Sequence, residues 1–340
     1  MPPSRVCNHR LMKSMIILTA SWAAVCSTFN LSMAASEPLY AKNLSPVVGL
    51  FGLPAQRSAR IEGAGISSLA LHGSVASHYV SDTESGEMLN FDGESQRLAL
   101  EWRYGLTDNW DLQLEVPWLD HSGGQLDSLI DEWHSVWGLP DGGRAKAPAD
   151  VLDFHYDAAT ENFQLGGEVS GIGDTSLSVS RLLYRDSGST AAIALGYKFA
   201  TGEEEDFLGS GADDVFATLR FSGQHQADLP LSWHGQLGYL RAGSTRILGN
   251  FQKRDLWFAG LAVDWKVAER WSLLAQIDVH AAPADSAISG LGDEAIMLTV
   301  GGRWRFSRDW TVDLSVVEDV RVETAPDVSF QASLRYRPGG

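Results

Sequence analysis

The sequence predicts an all-β fold, an antiparallel transmembrane β-barrel of about 12 strands with one long extracellular loop containing a short amphipathic helix. Three observations carry that expectation. Long segments alternate apolar and polar residues with a period of two, as strands do when their faces meet different surroundings. Three tight turns repeat one formula, an apolar residue, three polar or small residues and a tryptophan: Leu106 to Trp110, Val267 to Trp271 and Phe306 to Trp310. Tryptophan favours the boundary between lipid and water, so turns that end on it mark the rim of a membrane-spanning wall. Finally, no later segment approaches the roughly 18 to 20 consecutive apolar residues of a membrane helix.

In chain order, residues 1–34 read as a signal peptide. Arg5, Arg10 and Lys13 precede an apolar stretch from Met15 to Cys26, and Ser32-Met33-Ala34 supplies a small-x-small cleavage site. Cys7 and Cys26 leave with it, which suits an oxidising periplasm. Removing three basic residues from a chain of net charge −17 leaves −20. That balance excludes nucleic acid as a partner, since phosphate backbones recruit basic patches. Residues 35–65 are then expected as an N-terminal periplasmic segment and 66–336 as the barrel.

Strands are expected near 66–80, 94–105, 110–117, 174–184, 190–200, 213–222, 231–243, 255–267, 271–281, 293–306, 310–319 and 328–336. In the second, Leu98, Leu100, Trp102 and Tyr104 share one face, and Arg97, Ala99, Glu101 and Arg103 the other. An even count keeps both chain ends in the periplasm, and twelve strands put all three tryptophan turns there. A thirteenth strand around 162–170 would flip the later turns outward. Residues 118–173 are therefore assigned to one long outer loop, with a hairpin of its own at 151–168. Arg181 falls on the apolar face of the fourth strand, which calls for a bulge or a different register. The last strand ends at Tyr336, and Arg337-Pro338-Gly339-Gly340 overhangs it.

Within the long loop, Leu126, Leu129, Ile130, Trp133 and Trp137 recur at helical spacing, and Gly138 and Pro140 end the pattern. Asp127, Asp131 and His134 share one edge of that helix, with Arg144, His121 and His155 in the same loop. Carboxylate and imidazole suit metal binding or proton transfer, but a solvated helix edge accounts for the pattern without a further ligand or nucleophile. The acidic loop 201–214, with Glu203, Glu204, Glu205, Asp206, Asp213 and Asp214, offers oxygen ligands without the spacing of a calcium loop, so solvation is again preferred. Gly171-Ile172-Gly173-Asp174 lacks the setting of a nucleotide fingerprint and reads as a turn from loop into strand.

Several stretches together carry a resemblance. They are Asn43-Leu44-Ser45-Pro46 running to Phe51-Gly52-Leu53-Pro54, Asp92-Gly93-Glu94, Glu115-Val116-Pro117, Gly124 to Asp127, Ile130, Trp133-His134, Gly138-Leu139-Pro140 and Arg144. On these the chain resembles a family of outer-membrane barrels catalogued as domain of unknown function 3187. The resemblance implies a barrel at the cell surface and brings no activity, substrate or catalytic residue with it.

The leading functional expectation is a channel or porin-like transporter for small solutes in the outer membrane of a Gram-negative bacterium. About twelve strands enclose a narrow polar lumen. Arg97, Glu101, Arg103, Asp111, Glu115, Lys198, Arg220, Arg303, Arg305 and Arg335 are its expected lining. A basic ladder facing acidic rungs would set up a transverse field, whereas interior salt bridges would plug the barrel. The alternatives are an outer-membrane enzyme acting on lipid and a surface receptor or envelope structural protein. Ser232 and His234 share an inner face but do not make a triad. Expected partners are outer-membrane lipids, lipopolysaccharide, the barrel-assembly machinery and a small-molecule solute, with no cofactor and no catalytic residue assigned; no metal ligand is fixed.

Overall fold

A computed structural model describes residues 36–124, 151–224, 230–320, 324–326 and 328–339. The expected helix at 126–137, with Asp127, Asp131, His134 and Arg144, lies outside the described residues, as does the signal peptide. Twelve long strands form the wall. They are β1 (Ser67–Glu84), β2 (Glu87–Thr107), β3 (Trp110–Ser122), β7 (Thr175–Arg185), β8 (Ser189–Phe199), β9 (Asp214–Gln224), β10 (Leu231–Arg241), β11 (Asp255–Lys266), β12 (Trp271–His280), β13 (Ala295–Trp304), β14 (Trp310–Asp319) and β15 (Val328–Tyr336). Each pairs antiparallel with its neighbours, and β1 pairs with β15 from Leu69↔Tyr336 to Ser77↔Val328, which closes the sheet into a barrel. All twelve expected strands are present.

Short turns lie at one end of this barrel, the turn end; the connections at the other, the loop end, are longer apart from the two-residue turn between β1 and β2. All three tryptophan turns fall at the turn end. Two features at the loop end follow from local chemistry. Between β1 and β2, Ser85 and Gly86 both take positive φ (51° and 84°), which permits a two-residue hairpin with the twist of its strands. The expected hairpin inside the long loop is also found: β4 (Asp153–Asp157) pairs with β5 (Asn162–Leu165) and with the outer part of β2. A further short strand, β6 (Val169–Ile172), runs beside the outer end of β3 and delivers Gly173 and Asp174 to the start of β7.

The outward face is apolar throughout its middle. Leu100, Leu195, Leu237, Leu261, Leu273, Val300 and Leu314 are all exposed there, Leu261 by 63%. At the turn end this band gives way to an aromatic girdle. Trp271 stacks on Trp304 at 5.6 Å between centroids, and Trp304, Phe306, Trp310 and Tyr336 continue it around the rim at 5.4, 6.3 and 4.9 Å. At the loop end, Tyr197 and Phe199 sit 4.8 Å apart on the outer wall, with Trp118, Tyr239 and Trp257 also exposed. Two aromatic rims around an apolar band are what a bilayer selects.

Arg181 resolves differently from either expectation alone. A bulge does occur, between Leu182 and Tyr184, but it begins one residue beyond Arg181. Arg181 itself stays on the outward face and places its guanidinium 5.3 Å from the centre of the Trp110 ring. At the rim its charge reaches water while the stem and ring cover each other, so no register shift is needed.

Lipid-facing charge should be costly in proportion to depth. Val300→Arg, at mid-wall, is expected to lower stability by about 2–4 kcal/mol, and Trp310→Arg at the rim by about 0–1 kcal/mol, in denaturant titrations from phospholipid vesicles. Equal losses at the two sites would contradict the assigned depth.

Candidate functional site: a lumen filled by the N-terminal segment

The expected periplasmic placement of 35–65 does not survive the structure. Residues 36–62 run inside the barrel as a hairpin that enters at the turn end, reaches the loop end and returns. Side chains from Leu39 to Ile61 are mostly buried, although the segment has no strand or long helix of its own. The physical reason is complementarity: the segment supplies partners to the polar inward faces of the strands, which a periplasmic tail would leave unmatched.

The contacts can be followed along the segment. At the turn end, Ser36 Oγ donates to Asp264 Oδ2 at 2.7 Å and lies 3.1 Å from His234 Nε2. Next, the Glu37 carbonyl accepts from Arg303 Nη2 at 2.7 Å, and its carboxylate meets Arg103 at 3.4 Å. Halfway up, the Tyr40 ring stacks on His72 at 3.8 Å, and its hydroxyl bonds Arg97 and Glu115. Lys42 lies 3.6 Å from the same Glu115. At the loop end, Asn43 Nδ2 donates to the Thr324 carbonyl and lies 3.0 Å from His280 Nε2. On the return limb, Arg57 pairs with Glu101 at 3.4 Å, Ala59 N–H donates to Ser222 Oγ, and Glu62 meets Arg103 and Arg337.

Two polar latches fix the tip. The Leu50 carbonyl accepts from Lys198 Nζ at 3.0 Å, and Gly52 N–H donates to Asp214 Oδ2 at 2.8 Å. Lys198 is itself held by Asp174 at 2.7 Å and Asp214 at 3.2 Å. Gly52 passes so close to this wall that a Cβ would lie 2.9 Å from Lys198 Cβ. Around the tip, Val47, Leu50 and Phe51 join a buried apolar cluster with Phe91, Phe154, Phe163, Phe216 and Phe258 from the wall and the outer loops. The segment is therefore polar where it passes the strands and apolar where it meets the mouth.

The expected lining residues separate into groups on this geometry. Arg97 and Glu115 pair at 2.6 Å. Arg103 is shared between Asp111, Glu62 and Glu37. Arg303 and Arg335 both meet Asp313, at 2.7 and 3.1 Å, and Arg303 also reaches Asp264. Arg305 lies past the end of β13, is half-buried and has no ion pair among the described residues. Arg220 is buried and has no ion pair among the described residues. The basic ladder is thus largely neutralised by carboxylates, as the salt-bridge reading has it. Sequence reasoning missed Glu37, Lys42, Arg57 and Glu62, the partners supplied by the segment itself. Five or more charges within 36–62 were the available signal.

Other candidates find structural roles. His121 lies in the wall, with Nδ1 2.8 Å from Ser95 Oγ, while His155 stands apart beside Asp153. His234 Nδ1 lies 2.9 Å from Ser222 Oγ rather than on Ser232. The nearby Asp264 accepts from Ser36, so no carboxylate orients the imidazole as a hydrolytic triad requires. Among the described residues no cluster of three or more His, Cys, Asp or Glu side chains fits a metal ion.

The acidic outer loop ties loops together. Glu204 accepts from Thr245 Oγ1 at 2.8 Å, and from the Arg246 amide and Nε at 2.5 and 2.6 Å. Burial alone would raise the Glu204 carboxyl, but these hydrogen bonds outweigh it and hold the group below its ordinary range. Asp174 of the Gly-Ile-Gly-Asp turn accepts from Gly202 N–H at 2.9 Å and Ser210 N–H at 3.0 Å.

A closed twelve-strand barrel with an apolar outer band, two aromatic rims and a polar interior defines an outer-membrane β-barrel. The chain belongs to the family described as "Protein of unknown function (DUF3187)", which matches residues 14–338. No curated protein matches it. Among solved structures it is similar to the COG4313 outer membrane channel from Pseudomonas putida F1, at 14% identity over 82% of this chain and 97% of that one, with a TM-score of 0.53. It also matches the KdgM porin, at 11% identity over 79% and 98% of the chains (TM-score 0.39). The Ralstonia pickettii toluene transporter TbuX matches at 12% identity over 81% and 90% (TM-score 0.37). At these identities the likeness is one of fold.

Two predictions follow from the latches. Since no cysteine lies beyond Cys26, Ala55→Cys, on the return limb just beyond the tip, gives a clean reporter of hairpin exposure. Adding Asp214→Ala is expected to speed its labelling by a soluble maleimide about tenfold or more, the loss of one charge-assisted hydrogen bond being worth about 1.5–3 kcal/mol. An unchanged rate would remove Asp214 as an anchor. For Glu204, a depressed folded pKa means stabilisation that is present above the unfolded value of 4.5 and lost as pH falls through the lower folded value. The Arg246 amide resonance should therefore titrate with a midpoint below 4.5; a midpoint at or above it would break the latch assignment.

Proposed function

We propose that this protein is an outer-membrane channel or porin-like transporter for small solutes, held closed in this state by residues 36–62. The observation that carries the reading is the way the lumen is filled. Its occupant is a separate limb held by hydrogen bonds, ion pairs and apolar contacts, with both ends at the turn end. A barrel needed only as an anchor is satisfied by side chains meeting across its axis, as in eight-stranded barrels. A wider barrel closed by a non-covalent hairpin has a space that can be vacated without breaking a strand pair.

In the same reading, residues 1–34 are a signal peptide removed on export. The barrel-assembly machinery of a Gram-negative cell inserts the chain, and the turn end faces the periplasm. The outer loops, including 118–173, then face lipopolysaccharide, and Arg97, Glu101, Arg103, Asp111, Glu115, Lys198, Arg220, Arg303 and Arg335 line the route once the hairpin moves. Arg305 belongs to the periplasmic rim.

Planar-bilayer recordings test this. The mature chain is expected to be closed for most of the time, and a variant lacking residues 38–60 to conduct steadily. Silence from both would sink the channel reading. A third variant lacking 120–170 separates the two obstructions: steady conduction on removing that loop alone would transfer the closure from the hairpin to the loop.

A further inference from the structure

A cavity of about 110 Å³ remains between the inserted hairpin and the wall. Arg57 from the hairpin and Arg220 from β9 both line it, together with Gln56, Ser178 and Gln236. Arg220 is 3% exposed and Arg57 6%. Their guanidinium groups are short of partners. Arg220 Nε and both terminal nitrogens of Arg57 are buried without a hydrogen-bond acceptor, and Arg57 meets only Glu101 at 3.4 Å. That carboxylate is already engaged by Gln113 at 3.1 Å. Of the buried Arg and Lys side chains described, Arg220 is the one with no ion pair: Arg97, Arg103, Lys198 and Arg303 all have carboxylates within 3.4 Å.

Water can accept from a guanidinium but cannot neutralise it, and an uncompensated buried charge is expensive. Two buried guanidinium groups with unpartnered nitrogens lining one cavity are suited in chemistry to a carboxylate, which guanidinium binds through paired N–H donors. We propose that this cavity is a binding site for a small carboxylate anion, bridging Arg57 of the hairpin to Arg220 of the wall. The cavity as a whole, which runs from Glu37 to His280, is several times the roughly 10–15 Å³ that one water needs on this measure, so a small acid of a few carbon atoms is the size of ligand proposed. The inference rests on the transport reading in one respect, that the bound acid is the solute carried; binding itself does not depend on it. A ligand bridging the two limbs would also tie the hairpin to the wall, so occupancy and closure are linked.

The test is titration calorimetry on the whole mature barrel, refolded in a neutral maltoside detergent at pH 7, with acetate and benzoate as probes and chloride and tetramethylammonium as controls. Binding of a carboxylate is expected, weakened tenfold or more by Arg220→Gln and unchanged by Arg308→Gln at the turn end. No heat from either acid, or equal affinity in Arg220→Gln, would overturn the site. Chloride bound as tightly as the acids would overturn the carboxylate assignment. Should Arg220→Gln not fold, Arg57→Gln and the charge-retaining Arg220→Lys carry the comparison: loss in the first with partial retention in the second supports the site, and no change in either overturns it. Because calorimetry needs no conductance, a silent bilayer recording with intact binding would count against transport alone.

Discussion

Within hydrocarbon a peptide group has no water to bond, and every other feature of this molecule answers to that constraint. A sheet can satisfy it only by closing, which is what the pairing of β1 with β15 accomplishes. Closure with twelve strands creates an interior too wide for wall side chains to fill alone. The inward faces are polar and charged, so that interior must be wet or supplied with matching groups. The N-terminal hairpin supplies them: Glu37 and Glu62 to Arg103, Arg57 to Glu101, and backbone carbonyls to Arg303, Arg335 and Lys198. The apolar outside and the charged, occupied inside are two consequences of one geometric requirement.

The charged interior is organised around shared carboxylates. Asp313 serves Arg303 and Arg335, Glu115 serves Arg97 and Lys42, and Asp214 serves Lys198 and the Gly52 amide. At Glu115 and Asp214 the sharing joins wall to hairpin, whereas at Asp313 it joins two strands of the wall. Among the described residues, three of the stretches that carry the family resemblance lie at or near these points. Asn43 and Gly52 sit at the tip, Glu115 receives Arg97 and Lys42 below it, and Asp92-Gly93-Glu94 borders the mouth where the β4–β5 hairpin docks.

The wall was legible in the sequence because lipid imposes a period of two on every strand and selects tryptophan at its edge. Strand after strand, from Leu98 and Leu100 to Leu334 and Tyr336, the alternation gave the right face. Arg181 looked anomalous only because periodicity carries no information about depth; at the rim an outward arginine is well placed. The hairpin was not legible in the same way. Residues 36–62 have no repeat, and their prolines and glycines read like those of a linker. What holds them is long-range complementarity, such as Ser36 with Asp264 or Asn43 with Thr324, which no local window contains. Most of the expected lining residues are buried beside carboxylates of the wall, such as Glu115 with Arg97 and Asp313 with Arg303, but Glu37, Lys42, Arg57 and Glu62 lay in the one segment assigned elsewhere.

The path of that segment has a topological consequence. Both of its limbs leave the barrel through the same opening, with Ser36 beside Asp264 and Glu62 beside Asp111. It is a slip loop and not a thread: translation along the axis withdraws it without any free end crossing a closed ring. The opposite opening is roofed by residues of the hairpin tip and the outer loops together. The two openings of the barrel are therefore unlike: both limbs share one, and the other lies behind the packed hairpin tip and loops.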